Sequence, residues 1–486
     1  MLQRRTLLTG ISILGLSACG SIVPPDAAPV LRQAEQAMGG TSLKSIRFSA
    51  QGGGALFGQA FIPGMAWPRM NYTSLTRLAD YQGGAYREEF SRARAEPNGG
   101  GGVPLMGMGE QRAVGLLRGN TAWNQAGPTS TAAPVALDER IHDLWTTPHG
   151  ALKAALRNGA TLSQRSVDGK TFQAVSFAEP GRFSATLLIG PNNLVERIES
   201  RRPHPVTGDT DVITTFLDYK DFQGVMFPTR IRQSQGGFEV LDVAVTEVQA
   251  NAAADMAVPD AVRSFGERVV AEKAADGVWY LAGGSHHSVL IEMSDHLILV
   301  ESPLYDGRAA AVLAEARRLV PGKPVRFVVN SHHHFDHAGG LRAAASEGAT
   351  LVTSAAAKGP FERAFGNPNR INPDLLAKSG RNANIIGVRG KYELSDATRR
   401  VEVHEMTGSI HAQGFLMVYL PKERLLIEAD AYTPLAVGMP PPAVANANNV
   451  NLVQNIERLN FAVDRILPLH GRMVPLAELH AAIGRK

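Results

Sequence analysis

Residues Val325–Arg342 read VRFVVNSHHHFDHAGGLR. The first six, Val325–Asn330, are rich in β-branched side chains and read as a short buried strand. The strand runs into Ser331 and then into a dense cluster of imidazole and carboxylate: His332, His334, Asp336 and His337. Ala338-Gly339-Gly340 and an Ala-rich helical segment, Gly340–Gly348, follow. Four ligand-competent side chains within six positions, at the end of a strand, form an unfavourable arrangement unless a cation sits among them. In extended backbone His332 and His334 alternate to one side. Asp336 and His337 fall beyond that pair and address a second point nearby. Neutral imidazoles and an ionised carboxylate suit zinc, iron or manganese. A disordered surface patch of histidine is the competing reading, and the strand–loop–helix context weighs against it.

Two ions need more donors than one loop supplies, so further His and Asp are expected at other strand ends. His411 follows the strand Arg400–Glu405, Asp430 follows Leu425–Glu428, and His470 follows Ile466–Leu469. Around them strands (Val278–Leu281, Ser288–Met293, Leu297–Glu301, Thr350–Thr353) alternate with helical segments such as Ala309–Leu319. This pattern predicts a layered α/β domain over 268–486. Among the other histidines, His333 is expected to face away from the cluster and His404 to be structural. His286 or His287 is a candidate to reach the cleft, and His296 and His480 read as surface positions.

The run His332–His337, spaced H-x-H-x-D-H, resembles the signature of the metallo-β-lactamase superfamily. His411, Asp430 and His470 match the later positions of that family in chain order. The resemblance implies an αββα sandwich holding two divalent metal ions, zinc first, with iron or manganese as alternatives. It assigns His332, His334 and His411 to one ion, Asp336, His337 and His470 to the other, and Asp430 to both. It further implies hydrolysis of an ester, lactone, thioester or related bond of a small-molecule substrate through a metal-bridging hydroxide. Asp336 would orient the nucleophile and pass on its proton, and Tyr432 would donate to the developing oxyanion. Aspartate at position 430, where zinc β-lactamases carry cysteine, is more similar to hydroxyacylglutathione hydrolases, lactonases and alkylsulfatase-type members. Ala355–Lys391 and Pro434–Asn449 read as loops that select the substrate. Two alternatives stay open: an iron-dependent oxidoreductase similar to persulfide dioxygenases, and a lipoprotein ligand carrier with an accessory metal domain.

The 486 residues exceed what one core usually supports, so a second domain is expected upstream. A formal net charge of +4, with no basic run interleaved with aromatics, gives no indication of a nucleic-acid partner. Residues 1–19 read as a signal peptide: Arg4-Arg5, an apolar stretch Leu7–Leu16, then Leu16-Ser17-Ala18-Cys19-Gly20, which resembles a bacterial lipobox. Cys19 is the only cysteine, so it has no internal disulfide partner. Acylated, it would tether an exported, periplasmic or cell-envelope protein to a membrane without a spanning helix. Residues 20–30 read as a tether. From 31 to 260 a helix, Leu31–Met38, is followed by short runs such as Ser45–Ala50, Thr171–Phe177, Phe183–Ile189, Val195–Glu199, Val212–Leu217 and Val240–Val248. Turns such as Asp168-Gly169 separate them, giving an antiparallel β-rich domain. Its later part weakly resembles the half-barrel of lipoprotein-carrier-like domains, which implies an apolar concave face. Gly127–Pro134 reads as a loop, and His142, Trp145 and His149 have two readings, the lining of a site or, the stronger, packing at a domain contact. The oligomeric state has no signature here.

Overall fold

The computed structural model describes residues 26–96, 100–102 and 109–485. The signal segment, Cys19 and most of the tether lie outside the described residues. The helix Ala28–Ala37 begins inside the stretch read as tether, because Pro29 fits its first turn and Leu31 and Ala34 are buried. Among the described residues no helix is long and apolar enough to cross a membrane.

Alternation decides the N-terminal domain. In Ser45–Ala55 the side chains of Ile46, Phe48 and Ala50 are buried at every second position, so one face turns to a core and the other to solvent. Thirteen strands join into one antiparallel sheet. Its first strand, Ser45–Ala55, pairs on one side with Arg69–Asp80 and on the other with the last, Phe238–Ala250. The two wings end at Thr129–Ala132 and Thr161–Val167. Between those edge strands the chain makes two helices, Leu137–Trp145 and Pro148–Arg157. The second is started by Thr147, whose Oγ1 accepts from Gly150 N at 3.1 Å, with Pro148 in its first turn. Residues of both wings and of all three helices share one core: Ile46, Leu75 and Tyr86 with Leu187, Phe227, Leu31, Leu144 and Leu152. The sheet therefore wraps around the helices.

Several expectations are revised here. Gly127–Pro134 is not a loop: Thr129–Ala132 pairs with Thr121–Ala126 as an edge strand, with Gly127 (φ +56°) in the turn. His142 and His149 are buried inside this domain rather than at a domain contact. Their Nε2 atoms lie 2.8 Å from Ser200 Oγ and 3.0 Å from Met38 O. The concave face is not apolar throughout. A cavity of about 460 Å³ is lined by Arg77, Glu88, Arg140, Asp143 and Arg202 among others, and reaches Phe335 of the histidine loop.

The C-terminal domain stacks two sheets. The first has seven strands, from Val270–Ala275 to Asn384–Val388, and the second six, from Lys391–Ser395 to Val474–Pro475. Leu297–Val300, Val325–Val329, Thr350–Ser354 and Asn384–Val388 run parallel. Leu297–Val300 is apolar and buried at every residue, as a strand covered on both faces must be. The two sheets meet through Val289, Ile298, Val329, Val403, Met417 and Ile427. Helices Asp306–Leu319 and Leu341–Ser346 cover the outer face of the first sheet, while Ala447–Arg458 and Leu476–Ala482 pack against the second. The order is helix, sheet, sheet, helix.

Ala355–Lys391 does not form a substrate loop. It contains the helix Ala355–Gly366, capped by Ser354 Oγ, then the helix Leu375–Ser379, and then the edge strand Asn384–Val388. Residues 433–446 carry no helix or strand. That stretch exposes Val437 and Val444 and starts with Pro434 against Gly471, next to His470. His296 is buried, with Nδ1 2.6 Å from Asp295 Oδ1, so it is no surface residue.

Candidate metal centre

The histidine loop leaves the first sheet where the two sheets part. Leu416 N donates to Ser331 O at 2.7 Å and ties the loop to the second sheet. His334 lies on extended backbone, and a single helical turn, Phe335–Ala338, then carries Asp336 and His337. His411, Asp430 and His470 arrive from the second sheet and its connections.

Seven side chains expected to cooperate are brought together, and an eighth, His286, joins them. His332, His334, His411 and Asp430 present one group of donor atoms, and His286, His337 and His470 a second. Within the first, His332 Nε2 lies 3.0 Å from His334 Nδ1, 3.1 Å from His411 Nε2 and 3.9 Å from Asp430 Oδ2. His411 Nε2 is 3.0 Å from Asp430 Oδ2. Donors at 2.0–2.1 Å from one zinc ion stand roughly 3.3 Å apart in a tetrahedron, close to this spacing. In the second, His337 Nε2 and His470 Nε2 each lie 2.9 Å from Asp430 Oδ1 and 3.3 Å from one another. Asp430 thus turns one oxygen to each group. Asp336 points Oδ2 at His286 Nε2, 3.3 Å away.

The remote nitrogens of these rings fix their protonation. His334 Nε2 donates to Ala60 O at 2.9 Å, and His470 Nδ1 to Ser285 O at 2.7 Å. His337 Nδ1 lies 3.1 Å from the Glu301 carboxylate. A carbonyl or carboxylate only accepts, so each of these three rings turns an N–H outward. Burial would lower the His337 imidazole, but Asp430 and Asp336 outweigh it and raise it well above its usual range. Burial holds His332 and His334 well below the usual imidazole range, reinforced by their imidazole neighbours, so they stay neutral. Burial alone would raise the Asp430 carboxyl, but His337 and His411 outweigh it and hold it well below the usual range. Asp430 Oδ1, though 2.9 Å from two ring nitrogens, meets the hydrogen-bond geometry of neither. Ring nitrogens converging on both oxygens of a buried carboxylate, with His332 and His334 resisting protonation, together fit a divalent cation.

Glu301, which reads as the end of a strand, is fully buried behind this arrangement. It accepts from Asn330 Nδ2 at 2.9 Å and from Ser331 Oγ at 2.5 Å while facing His337. Its backbone takes φ +70° to do so. The one sequence signal for it is an acid closing an all-apolar strand. His287 braces the neighbouring turn, with Nε2 3.0 Å from Gly471 O. His333 faces away from the donor groups as expected, donating to Ala60 O at 2.7 Å. His404 is structural, 2.8 Å from Glu402.

Tyr432 is placed differently from its expected role. Its ring is buried in the core, and its backbone N–H, not its hydroxyl, donates to Glu428 Oε2 at 2.9 Å. Burial, with Glu478 nearby, pushes its hydroxyl up to about 12. Among the described residues no hydrogen bond joins that hydroxyl to the imidazole–carboxylate groups.

Residues 281–460 match the family model of the metallo-beta-lactamase superfamily. With its paired sheets and flanking helices, the C-terminal domain has the metallo-β-lactamase fold. Solved structures similar to the chain include a metallo-beta-lactamase from Pontibacter korlensis, 16% identical, covering 45% of this chain and 98% of that one, with a TM-score of 0.35. Another is the FIM-1 metallo-beta-lactamase from Pseudomonas aeruginosa in its mono-zinc form, 19% identical, covering 44% and 92%, with a TM-score of 0.33. No curated protein matches.

Proposed function

We propose that the protein is a metal-dependent hydrolase that holds two divalent ions, zinc first, and cleaves an ester, lactone, thioester or related bond of a small molecule. The observation that carries this reading is the inward convergence of imidazole nitrogens from three separate strand ends on both oxygens of Asp430. His332, His334 and His411 would hold one ion, His337 and His470 with Asp336 or His286 the other, and Asp430 both. Bound there, such ions supply Lewis acidity toward a carbonyl oxygen and make water a better nucleophile near neutral pH.

The chain's own part is orientation. Burial would raise the Asp336 carboxyl, but His337 and His286 hold it far below the usual range, so it is ionised at any working pH. A carboxylate that acidic accepts a hydrogen bond from the attacking water and aims it, rather than carrying a proton onward. His286, 3.3 Å from Asp336 and held neutral chiefly by burial, lies beside it at the same point. The lipobox-like Cys19 supports export and membrane tethering as part of this proposal. The charged lining of the N-terminal cavity gives a carrier for apolar ligands no support.

Metal analysis of the purified protein beside a panel of ester, lactone and thioester substrates tests the reading. Zinc near two per chain is expected, with hydrolysis abolished by a chelator and restored by zinc. Stoichiometric iron with oxygen consumption, and no hydrolysis, would overturn it.

A further inference from the structure

The loop between the strands Ser45–Ala55 and Arg69–Asp80 belongs to the N-terminal domain, yet it lies across the histidine loop of the other. Gly58 O accepts from Phe335 N at 3.1 Å, and Phe61 O from Gln413 N at 2.8 Å. Ala60 O accepts from the Nε2 atoms of both His333 and His334, at 2.7 and 2.9 Å. Gln59 Nε2 donates to Asp336 Oδ1 at 2.8 Å. The rings of Phe57 and Trp67 stand edge-on to Phe335, 5.3 and 5.5 Å between centroids. Gly58 takes φ +85°, and a Cβ there would come within 2.6 Å of the Phe335 ring, so the approach needs glycine.

These contacts do more than hold two domains together, because two of them end on groups of the donor cluster. Ala60 O consumes the outward N–H of His334 and so leaves Nδ1 as the free lone pair beside His332 Nε2. Gln59 occupies Asp336 Oδ1 and so turns Oδ2 toward His286. We infer that the segment 57–61 is an integral part of the metal centre, and that Gln59 is a positioning residue that fixes which oxygen Asp336 presents. The N-terminal domain then completes the site instead of accompanying it. This rests on the proposed metal-dependent reading. Partners of metal-ligating side chains typically change affinity by about 10- to 100-fold when removed.

The test compares full-length wild type, Gln59→Ala, Gly58→Ala and His332→Ala. It measures zinc retention against a competing chelator, the cobalt(II) absorption spectrum, and the thermal midpoint of the zinc-stripped proteins. For Gln59→Ala the chelator concentration that removes half of the more weakly held zinc should fall about tenfold or more, and the cobalt spectrum should shift. The stripped-protein midpoint should stay at the wild-type value. Gly58→Ala, if it folds, should lose zinc further. A lowered midpoint with unchanged zinc retention and spectrum would mean a packing contact only, and would overturn the inference. If even His332→Ala kept full zinc, the metal-dependent reading itself would fail.

Discussion

Replacing Asp430 by alanine is expected to empty both groups of donors together. One oxygen lies 3.0 Å from His411 Nε2, and the other 2.9 Å from the nitrogens of His337 and His470. Among the described residues no other carboxylate faces both groups, so the substitution leaves six imidazoles with only Asp336, beside the second group, to balance a doubly charged ion. Metal analysis should show less than one ion per chain, against the two expected for wild type. Metal ions contribute several kcal/mol of charge stabilisation to such reactions, and each ~1.4 kcal/mol is tenfold in rate. Hydrolysis should therefore fall by at least on the order of 10³-fold. Retention of two ions by the variant would show that the bridging assignment is wrong.

Glu301→Ala should act through His337 without touching an ion. The carboxylate satisfies Asn330 Nδ2, Ser331 Oγ and His337 Nδ1, all buried. Its removal leaves His337 Nδ1 without an acceptor and Asn330 Nδ2 and Ser331 Oγ with only their second contacts, to His337 O and His332 Nδ1, which costs about 1–3 kcal/mol of folding stability. It also frees the His337 ring to turn, so zinc affinity should fall by about 10- to 100-fold. Denaturant unfolding of the zinc-free protein reads the first effect and chelator competition the second. Normal zinc affinity in a destabilised variant would confine Glu301 to packing.

The donors themselves were legible in the sequence because metal chemistry restricts residue type and the strand ends restrict place. His332, His334, Asp336 and His337 share one loop, and His411, Asp430 and His470 each follow an apolar run. What orients them was not legible. Ala60 and Ser285 act through backbone carbonyls, which any residue has. Gln59 reaches Asp336 from a different domain, 277 positions away in sequence. His286 and His287 are adjacent, and only the turn at Gly283–Gly284 decides that the first enters the donor groups while the second ties down Gly471. Tyr432 shows the converse: two residues past Asp430 it is near in sequence, but the strand's end turns its ring into the core.

The fold divides along similar lines. Leu297–Val300 and Val325–Val329 announce themselves by apolar density. Several strands of the N-terminal sheet do not. Arg69–Asp80 and Ala85–Arg94 place charges on the inner face as well as the outer, with Arg77 and Glu88 paired across the two strands beside Leu75 and Tyr86. Their identity comes from pairing, not from local preference. The segment Ala355–Lys391 misled because its glycines and prolines resemble loop punctuation. Ser354 nevertheless caps a helix there, and Ile385 and Val388 bury against the sheet.

The most direct measurement is a crystal structure of the zinc-loaded protein with anomalous scattering recorded across the zinc edge. The account predicts two peaks a few ångströms apart. One should lie among His332, His334 and His411, the other among Asp336, His337, His470 and His286, with Asp430 touching both. A single peak elsewhere, or a fully zinc-exchanged crystal with no density between these side chains, would contradict it.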